Sequence, residues 1–228
     1  MNGPEIKNTM SPPNVFEVKD CALIAIATGR RAINLKEMQD TLSAISLDSV
    51  YYHFWGGLLQ PRFEEREFNN DFAAWAWYGL HDAPLAERLA VVDPTGSAGL
   101  EDLRQELLGI IEERLDEKDS LYYVLATARF EFIRSQIVIF DSQKRAETPE
   151  KLAEFLPTLS TGSIFYHFID ARRRLDQHRD DFSYWLSSYS ERYQDLCRQL
   201  SAIDPYFGSL FHIKDQLINV FSSYLTKE

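Results

Sequence analysis

Apolar residues recur at helical spacing along most of the chain. Leu35, Met38, Leu42 and Ile45 form one stripe behind Asn34, a residue suited to a helix N-terminus, with Glu37 three positions on as in a capping box. Leu152, Phe155, Leu156 and Leu159 form a second stripe behind Thr148, and Pro149 takes the first helical position, where its missing N–H is no loss. Asp48-Ser49 and Gly162-Ser163 mark the starts of two further helices, which carry Tyr52-His53-Phe54 and Tyr166-His167-Phe168. Asp71 and Asp181 precede Phe72/Trp75 and Phe182/Trp185, whose three-residue spacing puts both rings on one helical face. Each of these aspartates is expected to cap its helix, because a carboxylate accepts from the unpaired N–H groups of a first turn. Pro94 and Pro205 end the short helices before them. Ser97 and Ser209 then suit the caps of two closing amphipathic helices, 100–115 and 210–225. Segments 16–27 and 121–140 are short apolar runs that fit strand or helix, since periodicity alone does not separate the two.

These signals come in pairs. At an offset of 114 residues, segment 16–54 lies over 130–168 without a gap, and 10 of the 39 pairs are identical, among them Phe16/Phe130, Ser46/Ser160, Tyr52/Tyr166 and His53/His167. Chance would give roughly two or three, so the chain reads as one unit written twice. The expected fold is mainly α: two tandem copies of a helical unit of about 100 residues, each with room for a short β element at its head. The expected boundaries are a flexible tail at 1–14, where three prolines show no periodicity, a first unit at 15–117 and a second at 118–228.

Composition narrows the class. With 45% apolar and 13% aromatic residues, the chain is globular rather than disordered. No apolar run reaches the roughly 18 residues of a membrane span and no secretory start is seen, so a cytoplasmic location is expected. Cys21 and Cys197 occupy unmatched positions, which excludes a duplicated disulfide framework. The net charge of −11 argues against a general nucleic-acid binder. That charge is uneven: residues 1–117 hold 10 basic and 20 acidic side chains, and residues 118–228 hold 14 and 15.

Three elements stand out in order: Thr28-Gly29-Arg30-Arg31-Ala32, Ser49-Val50-Tyr51-Tyr52-His53 and Asp71-Phe72-Ala73-Ala74-Trp75. Together they resemble a prokaryotic family of unknown function, over nearly the whole chain. In the second half, Ser142-Gln143 stands where Thr28-Gly29 stands in the first. The resemblance implies an accessory role beside carbohydrate-active enzymes, and it brings no activity, cofactor or catalytic residue.

The candidate pocket or structural motif comprises Tyr52, His53, Asp71 and Trp75, with Tyr166, His167, Asp181 and Trp185 as its second set. A histidine titrates near neutral pH and can act as general base, with a carboxylate to fix its tautomer. The same residues equally suit a buried histidine held between helices, and this structural reading is preferred. Trp75 and Trp185 read as core anchors. Arg172-Arg173-Arg174 is a basic cluster that reads as a solvated helix face paired with Asp170, Asp176 and Asp180, with contact to an anion as its functional alternative. No metal site is expected, because His81, His178 and His212 have no counterparts and no paired-ligand spacing occurs. No cofactor is expected either, since the chain has no phosphate-cradling glycine loop or nucleophile elbow. The favoured function is a non-catalytic interaction or ligand-binding protein, with a protein or small ligand as partner, no nucleic acid and no membrane. The alternative is a small enzyme using a His–Asp acid–base pair.

Overall fold

A computed structural model describes residues 15–59, 67–96, 99–117, 119–206 and 208–226. The expected tail at 1–14 and the expected Ser97 cap lie outside the described residues. Strand β1 (Phe16–Ala32) leads into helices α1 (Leu35–Ala44), α2 (Leu47–Trp55), α3 (Asp71–Tyr78), α4 (Ala83–Ala90) and α5 (Leu100–Glu117). Strand β2 (Phe130–Ala146) is followed by α6 (Pro149–Phe155), α7 (Thr161–Ile164), a π-helical turn Phe165–Asp170, α8 (Ala171–Arg174), α9 (Asp181–Leu186), α10 (Gln194–Ser201) and α11 (Leu210–Leu225). Among the described residues the strands pair only with each other, antiparallel, from Phe16↔Ala146 to Ala32↔Phe130.

The ribbon is kinked near both ends. At one kink Thr28-Gly29-Arg30 bulges opposite Phe132; at the other Ser142-Gln143-Lys144 bulges opposite Val18. Thr28 Oγ1 donates to the Phe132 carbonyl and Ser142 Oγ to the Val18 carbonyl, each at 2.6 Å. Gly29 and Gln143 both take left-handed backbone, at φ 73° and 60°. Glycine does this freely, whereas glutamine pays about 1 kcal/mol, so Ser142-Gln143 makes the same turn as Thr28-Gly29 at some strain.

Each strand starts inside the helices that follow the other strand. The Phe16 ring lies 5.5 Å from Phe182 and 5.3 Å from Trp185, and the Phe130 ring lies 5.2 Å from Phe72 and 5.9 Å from Trp75. One continuous core results, running through both sets of helices and both strand ends. The middle of the ribbon projects from it, with Ile24, Ile139 and Phe140 about half exposed.

The expectation of a mainly α chain of two tandem helical units is overturned. The fold is α/β, and its opening segments are not short β elements but 17-residue strands, which settle the helix-or-strand ambiguity at 16–27 and at 130–140, while Asp119–Tyr123 forms a 3-10 turn. The physical reason is that a strand is stabilised by its ladder partner, and here that partner lies 98 to 130 residues away in sequence. Burial at the strand ends and exposure at the centre also erase the simple alternation that marks a half-buried strand.

Helix starts follow the expected chemistry, with shifts of one or two residues. Asn34 accepts from Glu37 N–H at 2.8 Å, Thr148 from Lys151 N–H at 3.3 Å and Ser209 from His212 N–H at 3.2 Å. The next helices are capped by Ser46 and Ser160, not at Asp48-Ser49 and Gly162-Ser163. Those displaced residues lie in the first turns, where Ser49 Oγ donates to the Ile133 carbonyl at 2.7 Å.

Candidate functional site

His53 sits on α2 among aromatic residues of the core. Its ring lies 4.6 Å from Phe130 and edge-on to Tyr52 at 5.4 Å, and the residue is 2% exposed. Nε2 accepts from the Ile133 backbone N–H at 3.1 Å. That nitrogen therefore carries no proton, and the ring proton sits on Nδ1, which donates to Asp71 Oδ2 at 2.9 Å. His167, in the π-helical turn, is held in the same way. Nε2 accepts from the Lys19 N–H at 2.8 Å, and Nδ1 donates to Asp181 Oδ2 at 2.7 Å. Phe16 at 4.9 Å and Tyr166 at 5.0 Å flank that ring. Each histidine thus ties a helix to the strand on which the helix packs, and both of its nitrogens are engaged.

The structure corrects the role expected of the aspartates. Asn70 and Asp180, one residue earlier, cap α3 and α9, accepting from Ala73 and Ser183 N–H groups at 2.8 Å. Asp71 and Asp181 occupy the first helical position instead, which turns their carboxylates toward the histidines. Trp75 and Trp185 are buried core anchors, and Trp75 Nε1 donates to the Ala128 carbonyl at 2.7 Å. The two histidines do not share a pocket-lining role. Neither borders the two cavities described, one beside Leu35, His81 and Arg114 and the other beside Arg172 and Arg179.

The arginine cluster divides, so it is not one solvated face. Arg173 and Arg174 meet Asp170, which is 1% exposed, at 3.0 and 2.9 Å, and Arg174 also reaches Asp181 at 3.0 Å. Tyr51 donates to the same Asp170 carboxylate at 3.1 Å, joining α2 to the end of the π-helical turn. Burial, then the Asp170 charge, holds the Tyr51 hydroxyl well above its ordinary value. Arg172 turns the other way: Nε donates to the Phe168 carbonyl at 3.1 Å and the guanidinium lies 4.8 Å from the Phe168 ring. Burial lowers its pKa, with Asp180 and Asp204 opposing that shift. It faces a cavity of about 770 Å³ beside Arg179, Asp180 and Cys197. The Asp176 side chain lies outside the described residues, and Asp180 bonds Ser183 rather than an arginine.

Among the described residues no three His, Cys, Asp or Glu side chains are grouped as metal ligands would be, and no helix is long and apolar enough to cross a membrane. Residues 13–222 match DUF5752, a family of unknown function. The chain belongs to that family. The match to DUF5752 does not confirm a repeated motif within it. Among solved structures, OrfY from Thermoproteus tenax is similar to this DUF5752 chain, with a TM-score of 0.80 and 26% identity over 93% of this chain and 97% of that one. No curated protein matches the chain.

Asn70, Tyr51, Asp170 and Arg179 are the residues that sequence reasoning passed over or left in a background role. Asn70-Asp71 and Asp180-Asp181 each offer two adjacent residues able to cap; the first of each pair takes the cap and the second meets the histidine. Tyr51 and Asp170 carry no local signal for their contact, being 119 residues apart.

Proposed function

We propose that this chain is a non-catalytic ligand-binding or interaction protein, in which the two His–Asp pairs are structural clamps. One observation carries the reading: each histidine, 2% exposed, spends Nε2 on a backbone N–H and Nδ1 on a carboxylate. A general base needs a nitrogen free to take a substrate proton, within hydrogen-bond reach of that proton. Here such a proton would displace a strand N–H from its acceptor. Carboxylate, imidazole and backbone amide form a chain that orients each ring and fixes the strand against the helix.

The test is thermal melting of His53→Ala and His167→Ala beside the unaltered chain. Loss of the ring leaves a void and an unpaired buried N–H, so both midpoints should fall by several degrees. In a chain of this size about 1 kcal/mol corresponds to roughly 2–4 °C. Unchanged midpoints in both variants would sink the clamp and favour an acid–base role for the pair.

A further inference from the structure

The C-terminal helices hold a cavity of mixed polar and apolar lining that the histidine clamps do not use. Its volume of about 770 Å³ lies within the roughly 300–1,000 Å³ of small-molecule sites. Two of the cations lining it are incompletely satisfied by the protein. Arg172 Nη2 and Arg179 Nε are buried and have no hydrogen-bond partner among the described residues. Native proteins pair nearly all such donors, so neither of these two cavity-lining guanidinium groups is fully satisfied by the protein around it. Both side chains are held in place. Arg172 is fixed by the Phe168 carbonyl and ring, and the Arg179 guanidinium lies 5.4 Å from the Tyr184 ring.

The neighbouring acids do not fill the vacancy. Asp180 spends both oxygens on Ser183, at 2.8 and 2.7 Å, and Asp204 Oδ1 accepts the Tyr206 N–H at 2.8 Å. Arg198, also on the rim, pairs with Asp195 and is largely exposed. Gln177 and His178 border the same cavity on left-handed backbone, at φ 63° and 51°. Consecutive non-glycine residues in that region persist only where the surroundings hold them, and such strain gathers at binding sites.

We propose that this cavity binds a small organic anion of the phosphate-monoester class, with Arg172 and Arg179 gripping the phosphate. Planar guanidinium forks match phosphate oxygens better than a point charge does. The cavity is far larger than a bare phosphate group, and the amides of Gln177 and Gln194 on its wall suit the hydroxyl groups of an organic remainder. The site rests on the ligand-binding half of the reading above and is independent of the histidine clamps.

The experiment is isothermal titration of the full chain with glycerol 3-phosphate, inorganic phosphate and glycerol, with melting curves alongside. Glycerol 3-phosphate should bind saturably, with a Kd of about 1 mM or tighter, inorganic phosphate more weakly and glycerol not at all. Arg179→Gln should melt as the unaltered chain does and lose at least about tenfold in affinity. Arg172→Gln should lose affinity as well, and its melting curve separates that loss from misfolding. Equal affinity for glycerol 3-phosphate and inorganic phosphate would overturn the ester class. Absence of saturable binding, or equal binding by Arg179→Gln, would overturn the site and leave the clamp reading standing. Release of inorganic phosphate from the ester would instead overturn the non-catalytic reading and keep the site.

Discussion

At the His53 end of the molecule the aspartate partner is 35% exposed, the helix is regular and the cap is the neutral Asn70. At the His167 end the aspartate is 16% exposed and held by Arg174, the helix widens into a π turn, and the cap is the buried Asp180. The contacts common to both ends, from histidine to carboxylate and to strand amide, hold the ribbon to the helices. The features found at one end gather cations and a cavity on the C-terminal side, where acidic and basic residues nearly balance. Contacts repeated at two places answer the shared need to secure a strand. Contacts present at one place are where a distinct ligand would be read.

The largest effect that would break this comparison is expected at Asp170. Replacing it by Ala leaves Arg173, Arg174 and the buried Tyr51 hydroxyl without their common acceptor. Stability should fall by about 3 kcal/mol, near the lower end for a broken buried pair because both arginines keep some solvent. Urea denaturation reads this directly, and an unmoved midpoint would remove Asp170 as the tie between α2 and the π turn.

Next come the clamps themselves. His53→Ala and His167→Ala should each lose about 2–3 kcal/mol, the second more because Asp181 then leaves Arg174 with a disordered partner. A loss confined to one of them would show that the two ends do not share a role.

Gly162 sharpens the comparison further. A side-chain carbon there would run into the Asp20 carboxylate and the Cys21 carbonyl of β1, so Gly162→Ala should destabilise by about 1–3 kcal/mol. At the other end Asp48 holds the corresponding place against β2, its carbonyl accepting from Ser135 Oγ at 3.3 Å as that of Gly162 accepts from Cys21 Sγ at 3.3 Å. Asp48→Ala should therefore stay within about 0.5 kcal/mol. Equal losses at both positions would refute the closer approach of β1 to α7.

The smallest effect concerns Asp180. Burial raises its carboxyl above the ordinary range, with Ser183 and then Arg172 opposing. A raised value favours the protonated form in the fold. Its stabilising contribution is therefore full below the ordinary carboxylate range and is lost as pH rises through the raised value. Asp180→Asn keeps a capping oxygen and removes that loss, so the variant should gain on the unaltered chain as pH rises above the ordinary carboxylate range. Melting curves across that rise check it; a constant difference would mean the carboxyl titrates normally. Asn70→Asp, the reverse change at the other end, removes the amide that donates to the Leu89 carbonyl at 2.9 Å and should lose about 1 kcal/mol.

Local chemistry was legible where its cause was local. The stripes behind Asn34 and Thr148 announced α1 and α6, because a helix closes its hydrogen bonds within four residues. The Tyr-His and Asp-Phe-x-x-Trp elements meet through contacts of Asp71 and Asp181 with the histidines, one of the two roles expected of these aspartates; the other, capping, falls to the residue before each. One residue of shift at a helix start decides whether a carboxylate faces the backbone or a histidine. The arginine triplet was visible as charge, but not its division. The pairing of Arg173 and Arg174 with Asp170, three and four residues away, was expected and is local; only folding turns Arg172 away from it to line the same cavity as Arg179.

By itself, then, the sequence determined the main helices, the caps at Asn34, Thr148 and Ser209, and the residues able to act. Each of those depends on neighbours within a turn or two of chain. The tertiary structure alone decided the long ribbon, the packing of each strand among the other strand's helices, and which arginine nitrogens are left unpaired. Ladder partners 98 to 130 residues apart, and burial from several elements at once, have no imprint in any short window of sequence.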